Sequence, residues 1–387
     1  MKTKTILSLL PLMLSFFVMG FCDIVGILSD YVQRAFGWSD VLTGFVPSMV
    51  FIWFLFFSIP AGNLMNRIGR KTTVLASLLI TVAGMSLPLV VYSTATCMAA
   101  FALLGIGNAV LQVSLNPLLA NVLSDNKYLT SGMTAGQVIK ALSSLCGPEL
   151  AVFVVARYGE EHWYYCFPVL GAVTLLSAAW LWLTPIEREK SNGGSLAFGE
   201  TFRLLSDRTI LLFFIGILAV VGLDVAVNYI GSKLMAAKFQ WSAADCKYAP
   251  QAYFLMRTVG ALLGSFLLAR IDAVRYFRVN ILLCLASIAL LLFAGSASMS
   301  VVLIGCIGFF ASSVFSIIYS VAMQRRPEHA NEIAGLMMTA VSGGALVTPI
   351  IGFSIEWMGI DGGLYVVMAC ALYLAACAFS VNKIQTK

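Results

Sequence analysis

Along this chain the apolar positions neither alternate, as in a half-buried strand, nor form the one-sided stripe of a surface helix. They run on for roughly 20 residues, break at a short polar turn and resume, and a helix of that length crosses about 30 Å of hydrocarbon. Twelve such runs are visible, at about 6–33, 41–65, 73–93, 97–124, 130–156, 163–184, 209–236, 245–269, 277–297, 299–324, 332–356 and 361–382. The pattern predicts an all-α integral membrane protein with twelve transmembrane helices. The longest polar interruption, PIEREKSNGGSLAFGETFRLLSDR, predicts an N-terminal six-helix bundle over 1–184, an inter-bundle linker over 185–208 and a C-terminal six-helix bundle over 209–387. The opening MKTKTILSLLPLMLSFFVMGFC imitates a secretory signal, but its apolar run continues to about Val32, so a first span is expected in place of a cleaved leader.

Composition agrees with the pattern. The 387 residues are 60% hydrophobic and 11% charged, too few polar groups to cover a water-soluble globule. Basic residues gather in alternate loops: Arg67, Arg70 and Lys71, then Arg203 and Arg208, Arg270, Arg275 and Arg278, and Arg325 and Arg326. The intervening loops keep only Arg34, Arg157 and Lys238, so the positive-inside bias places both termini in the cytoplasm. The net charge of +6 follows from this topology and needs no nucleic-acid partner; the bilayer itself is the expected surrounding. Nine cysteines fall mostly inside the runs without metal-ligand spacing, so neither a metal site nor a cofactor is expected. With no catalytic triad or phosphate-binding loop, neither is an enzyme.

The two halves repeat each other. MGFCDIV at 19–25 lies over VGLDVAV at 221–227, LLGIGNAVLQVSLNPL at 103–118 over LIGCIGFFASSVFSII at 303–318, and NRI at 66–68 over ARI at 269–271. Paired six-helix halves are a feature of carriers that open to each face of the membrane in turn. Between the second and third runs stands GNLMNRIGRKTTVL, residues 62–75, where Gly62 allows close helix approach and Gly69 a tight turn. This stretch resembles the major facilitator superfamily signature G-x-x-x-D-R-x-G-R-[KR], with Asn66 where the family has Asp. In that family the acid and the following arginine take part in an inner gate, which makes Gly62, Asn66, Arg67, Gly69 and Arg70 gating candidates by resemblance. SLNPLLANV at 114–122, VGLDVAVNYIG at 221–231, RTVGALLG at 257–264 and GLMMTAVSGGALVTPIIG at 335–352 look like the fucose–proton symporter family and its bacterial sugar-transporter relatives. The resemblance implies a multi-pass protein of the bacterial inner membrane, working as a single chain, that imports a sugar with protons. Two departures stand out: Gln112 replaces an acid four positions before Asn116-Pro117, and Lys140 replaces an asparagine three positions after Gln137.

Lys140 lies about 15 Å from either membrane face by helix counting, too deep to snorkel. A charge there costs about 2.5–3.5 kcal/mol on insertion scales, so it needs water or a partner. Asp23, Gln112, Asp224 and Arg257 fall at similar depth, which predicts a polar cavity. Lys140 and Arg257 are read equally as substrate contacts or as ion-pair partners of Asp23 and Asp224 respectively. Substrate binding is expected from Gln112, Asn116, Gln137, Lys140, Asn228, Gln251 and Arg257, with rings such as Trp53 and Tyr253 under the sugar. Proton coupling is expected from Asp23, Asp224 or Glu149, with Asp23 favoured. The loss of an acid at 112 and the gain of a base at 140 lean the cargo toward an acidic sugar, a sialic acid or a uronate. The alternatives are a neutral monosaccharide such as fucose or a hexose, and a non-transporting nutrient sensor of the same fold.

Overall fold

The computed structural model describes residues 3–38, 40–123, 126–188, 198–241, 245–246 and 248–380; most of the expected linker, 189–197, lies outside the described residues. Most of the described residues are helical. The helices are α1 (Thr3–Met19), α2 (Val25–Phe36), α3 (Asp40–Ile68), α4 (Arg70–Val90), α5 (Thr94–Val122), α6 (Asn126–Tyr158), α7 (Cys166–Leu183) and the short α8 (Phe198–Thr201). There follow α9 (Arg208–Phe239), α10 (Tyr248–Leu268), α11 (Ala273–Leu292), α12 (Ala297–Ala311), α13 (Val314–Arg325), α14 (Ala330–Thr339), α15 (Gly344–Met358) and α16 (Ile360–Ser380).

Among the described residues ten helical stretches are long and apolar enough to cross a membrane. The two remaining expected runs are α3, 29 residues long, and the eleventh, which is split into α14 and α15 by a 3-10 turn at Ala340–Gly343. The first run is likewise interrupted, by a 3-10 turn at Gly20–Ile24, and the tenth parts at Ser312 and Ser313 between α12 and α13. Each break falls at glycine or paired serines, where helix interiors most readily bend.

Two compact units divide the chain. The first comprises Met1–Asn126, Gly136–Phe202 and Glu328–Thr339; the second comprises Lys127–Ala135, Arg203–Pro327 and Ala340–Lys387. Within the first, α4 packs against both α5 and α7, and the start of α5 is fixed by a reciprocal capping box between Ser93 and Thr96. Lys71 closes the far end of α7 by donating its ammonium to the Trp182 and Thr184 carbonyls at 2.9 and 2.8 Å, a cation on the negative end of the helix dipole. Within the second unit α10 crosses α12 at Gly308, where an added Cβ would stand 2.5 Å from the Tyr253 carbonyl oxygen. Lipid is as apolar as leucine, so such contacts gain from packing rather than from the hydrophobic effect, and small residues let the backbones approach.

Candidate functional site

In the second unit α9 and α10 bring an acid, a base and a phenol together. Asp224 Oδ2 accepts from the Arg257 guanidinium at 2.7 Å, and Oδ1 accepts from the Tyr253 hydroxyl. The helical register permits this: Tyr253 and Arg257 are four residues apart, one above the other on the face of α10 that meets α9. Tyr253 is fully buried, and the Asp224 and Arg257 side chains are 20% and 35% exposed. Of the two roles open to Arg257, the structure shows the ion pair. Tyr253, expected under a sugar, is inside the helix packing, and its hydroxyl serves the carboxylate. Asn228, one turn along α9, and Gln251 on α10 are exposed.

In the first unit the polar groups are looser. Asp23 stands in the 3-10 turn after α1, exposed, with the Ser144 hydroxyl 2.5 Å from Oδ2 and the Cys22 thiol 3.4 Å from Oδ1. The same Ser144 hydroxyl lies 3.0 Å from the Lys140 carbonyl, so Ser144, not Lys140, is the group on α6 that meets Asp23. Of the two roles left open for Lys140, the Asp23 ion pair is absent: Asp23, in the 3-10 turn, meets Ser144, one helical turn beyond position 140. Lys140 and Gln137 are half-buried, and Glu149 further along α6 is exposed. Lys140 and Glu149 have no ion-pair partner among the described residues. On α5, Gln112 and Asn116 are buried; the Asn116 amide donates to the Gln112 carbonyl at 3.2 Å and its Oδ1 has no protein partner. Trp53 is half-buried on α3, with its indole N–H also unpaired.

The 62–71 loop forms a third polar cluster, also in the first unit. Gly62 lets α3 touch α14, since a Cβ there would stand 2.7 Å from the Asn331 carbonyl oxygen. Gly69 has φ +92°, a value few side chains accept, and turns the chain from α3 into α4. Arg70 donates to Asn331 Oδ1 at 2.7 Å, to the Pro117 carbonyl at 3.0 Å and to Asn121 Oδ1. Asn66 donates to Glu332 Oε1 at 2.7 Å and accepts from Asn331 Nδ2 at 2.6 Å. Arg67, paired with position 66 in the expected gate, is exposed, and its carbonyl accepts from Arg188 at 2.6 Å. One residue is about 100° of helix, so position 67 cannot share the face of position 66.

Sequence reasoning missed Ser144, the role of the Tyr253 hydroxyl, and both Asn331 and Glu332. Only the last carried a signal: a signature lacking its acid at position 66 calls for one elsewhere.

Long apolar helices that carry ionisable side chains within them define a polytopic membrane protein of the transporter class. A model of the Major Facilitator Superfamily matches residues 10–381, and the chain belongs to that superfamily. It is 26% identical over 391 residues to a glucose/galactose transporter of Brucella abortus, covering 95% of this chain and 92% of that one. A putative glucose/galactose transporter of Helicobacter pylori is 27% identical over 382 residues, covering 91% and 89%. Among solved structures, FucP in the outward conformation superposes with a TM-score of 0.84 at 16% identity over 97% of this chain and 100% of that one. A structure of the E. coli fucose:proton symporter FucP gives 0.85 at 17% identity, over 98% and 100%. The human organic anion transporter TETRAN gives 0.78 at 15% identity over the same shares, so the fold likeness does not by itself select a cargo.

Proposed function

We propose that the chain imports a neutral monosaccharide, of the glucose or galactose kind, together with protons, by exposing its binding residues first to one side of the membrane and then to the other. The observation that carries the reading is the Asp224–Arg257–Tyr253 cluster inside two apolar helices, in a chain whose curated relatives are named for glucose and galactose. The acidic cargo to which the sequence leans has less support. Arg257 is already committed to a carboxylate of the protein, and of the two cations expected at mid-depth Lys140 is left to meet one on a ligand.

Neutral sugars need amide and carboxylate partners for their hydroxyls and an apolar surface for the ring. Gln112, Asn116 and Gln137 with Trp53 offer these on the first unit, and Asn228 and Gln251 on the second. For the proton, both Asp224 oxygens are engaged, one by a permanent cation. Asp23 is exposed and held only by a hydroxyl and a thiol, which makes it the acid a proton can reach and leave; Glu149 is the second choice. The basic loops support a bacterial inner membrane with both termini cytoplasmic, the bundles 1–184 and 209–387 are the moving parts joined by 185–208, and one chain suffices.

Uptake of labelled galactose and glucose into proteoliposomes tests this reading. It predicts accumulation under an inward proton gradient, competition by neutral hexoses and none by sialic acid or glucuronate. Competition by the acidic sugars alone would return the cargo to the acidic class. Binding without counterflow would mark a sensor.

A further inference from the structure

Among the described residues Glu332 is the one acidic side chain the proposed mechanism leaves unused although it is almost wholly buried, at 2% exposure. It lies in the first turn of α14, which packs on α3 within the first unit. One oxygen accepts from Asn66, and the other, Oε2, is buried without a hydrogen-bond partner. Among the described residues no lysine, arginine or histidine nitrogen lies within ion-pair distance. A buried carboxylate so placed is costly unless something compensates its charge.

The compensation is a chain with one direction. The Arg70 guanidinium donates to the Asn331 oxygen, the Asn331 amide to the Asn66 oxygen, and the Asn66 amide to Glu332. Each asparagine turns its oxygen toward the cation and its N–H toward the acid, so the dipoles add head to tail and hydrogen bonds so linked strengthen one another. The positive end of the α14 dipole favours the same charge. The chain is therefore built for one anion at its far end. It has no place for a second at Asn66, which would face the first at hydrogen-bonding distance.

We propose that Glu332 is a proton-binding site that governs the α3–α14 contact: ionised, it holds the contact closed through Asn66, and on taking up a proton it releases it. This does not depend on which solute is carried. The other titratable and charged groups around it are Arg67 on α3, exposed; Arg70 at the start of α4, committed to the chain; Glu200 on α8, exposed; and, before α14, exposed Glu328 and half-buried His329. From α5 the chain is met only by neutral groups, Asn121 and the Pro117 carbonyl, through Arg70. His329 stands three residues before Glu332, so the test includes it.

Ser58 on α3 reports the contact. It is fully buried, its hydroxyl makes no hydrogen bond, and its carbonyl lies under Gly335 of α14, where a Cβ would stand 2.6 Å away. Maleimide labelling of a Ser58→Cys protein in detergent, resolved by site with mass spectrometry and referred to exposed Cys146 in the same sample, measures opening without any substrate. A charge-assisted bond exceeds a neutral one by about 1–1.5 kcal/mol, a limit of roughly tenfold, and because the closed contact favours the ionised acid the change comes below the ordinary glutamate pKa of about 4.3, so labelling should be slow at pH 7.5 and several-fold faster at about pH 3. Adding Glu332→Gln should make it fast at both pH values. Adding Asn66→Asp together with Glu332→Gln moves the acid one link along the chain and should restore slow labelling at pH 7.5 and the response to pH. His329→Gln should leave the parent's behaviour unchanged. The proposal fails if the parent ignores pH, if Glu332→Gln behaves as the parent, if the double variant stays as fast as Glu332→Gln, or if His329→Gln abolishes the response.

Discussion

Tyr253→Phe removes a single oxygen from a fully buried ring and leaves its shape in place, so it isolates how Asp224 is held. A hydrogen bond to an ionised acceptor contributes about 1.5–3 kcal/mol, and one between neutral groups about 0.5–1.5. With Arg257 at 2.7 Å the acceptor is an ion-paired carboxylate, so the expected loss is about 2 kcal/mol, roughly 30-fold in the unfolding constant. In an Asp224→Asn background the acceptor is a neutral amide, and the same deletion should cost about 1 kcal/mol or less. Equilibrium unfolding in micelles of the parent, both single variants and the double closes a double-mutant cycle. A coupling near 1 kcal/mol or above is expected. If Tyr253→Phe costs the same in both backgrounds, the hydroxyl does not serve the carboxylate and the cluster has been misread.

The remaining predictions concern other parts of the molecule. Gly62→Ala drives a Cβ to 2.7 Å from the Asn331 carbonyl and should lower stability by about 1–3 kcal/mol, read by unfolding in micelles. Asp207, outside the spans, is partly buried, which alone would raise its pKa; the Thr209 N–H and the charges of Arg325 and Arg326 outweigh burial and hold it below the ordinary carboxylate range. Its contribution is therefore present above about pH 4 and lost as pH falls below that, so Asp207→Asn should reduce the loss of stability between about pH 5 and 3. Asp23→Asn should abolish accumulation driven by a proton gradient while sparing sugar counterflow, and undiminished gradient-driven uptake would move the proton to another acid. Lys140→Gln should leave neutral-hexose uptake within about threefold of the parent, whereas loss of all uptake would make the ammonium a substrate contact; a threefold change is about 0.65 kcal/mol.

Much of the architecture was legible because a bilayer imposes one rule, about 20 apolar residues per crossing, and the sequence obeys it almost everywhere. The breaks at Gly20–Ile24, Ser312–Ser313 and Ala340–Gly343 were not legible, since hydropathy does not fall where a helix merely bends. The Asp224–Arg257 pair could be anticipated because two opposite charges in successive apolar runs have few other places to go. The matching pair of Asp23 and Lys140, one of two readings open for Lys140, does not form, since Asp23 in its 3-10 turn meets Ser144 instead. Arg67 and Arg70 were both candidates from the signature; only the helix face shows that Arg70, and not Arg67, meets Asn331. Glu332 opens the eleventh apolar run, and its burial against α3 is a tertiary fact that hydropathy does not carry.

The central claim is that a neutral sugar and a proton cross together, and a pH electrode in a lightly buffered suspension of proteoliposomes measures it directly. Adding galactose or glucose, with no gradient imposed, should make the external medium more alkaline as protons follow the sugar inward, and a protonophore should erase the signal. Labelled sugar entering at full rate with no change in external pH would contradict the account.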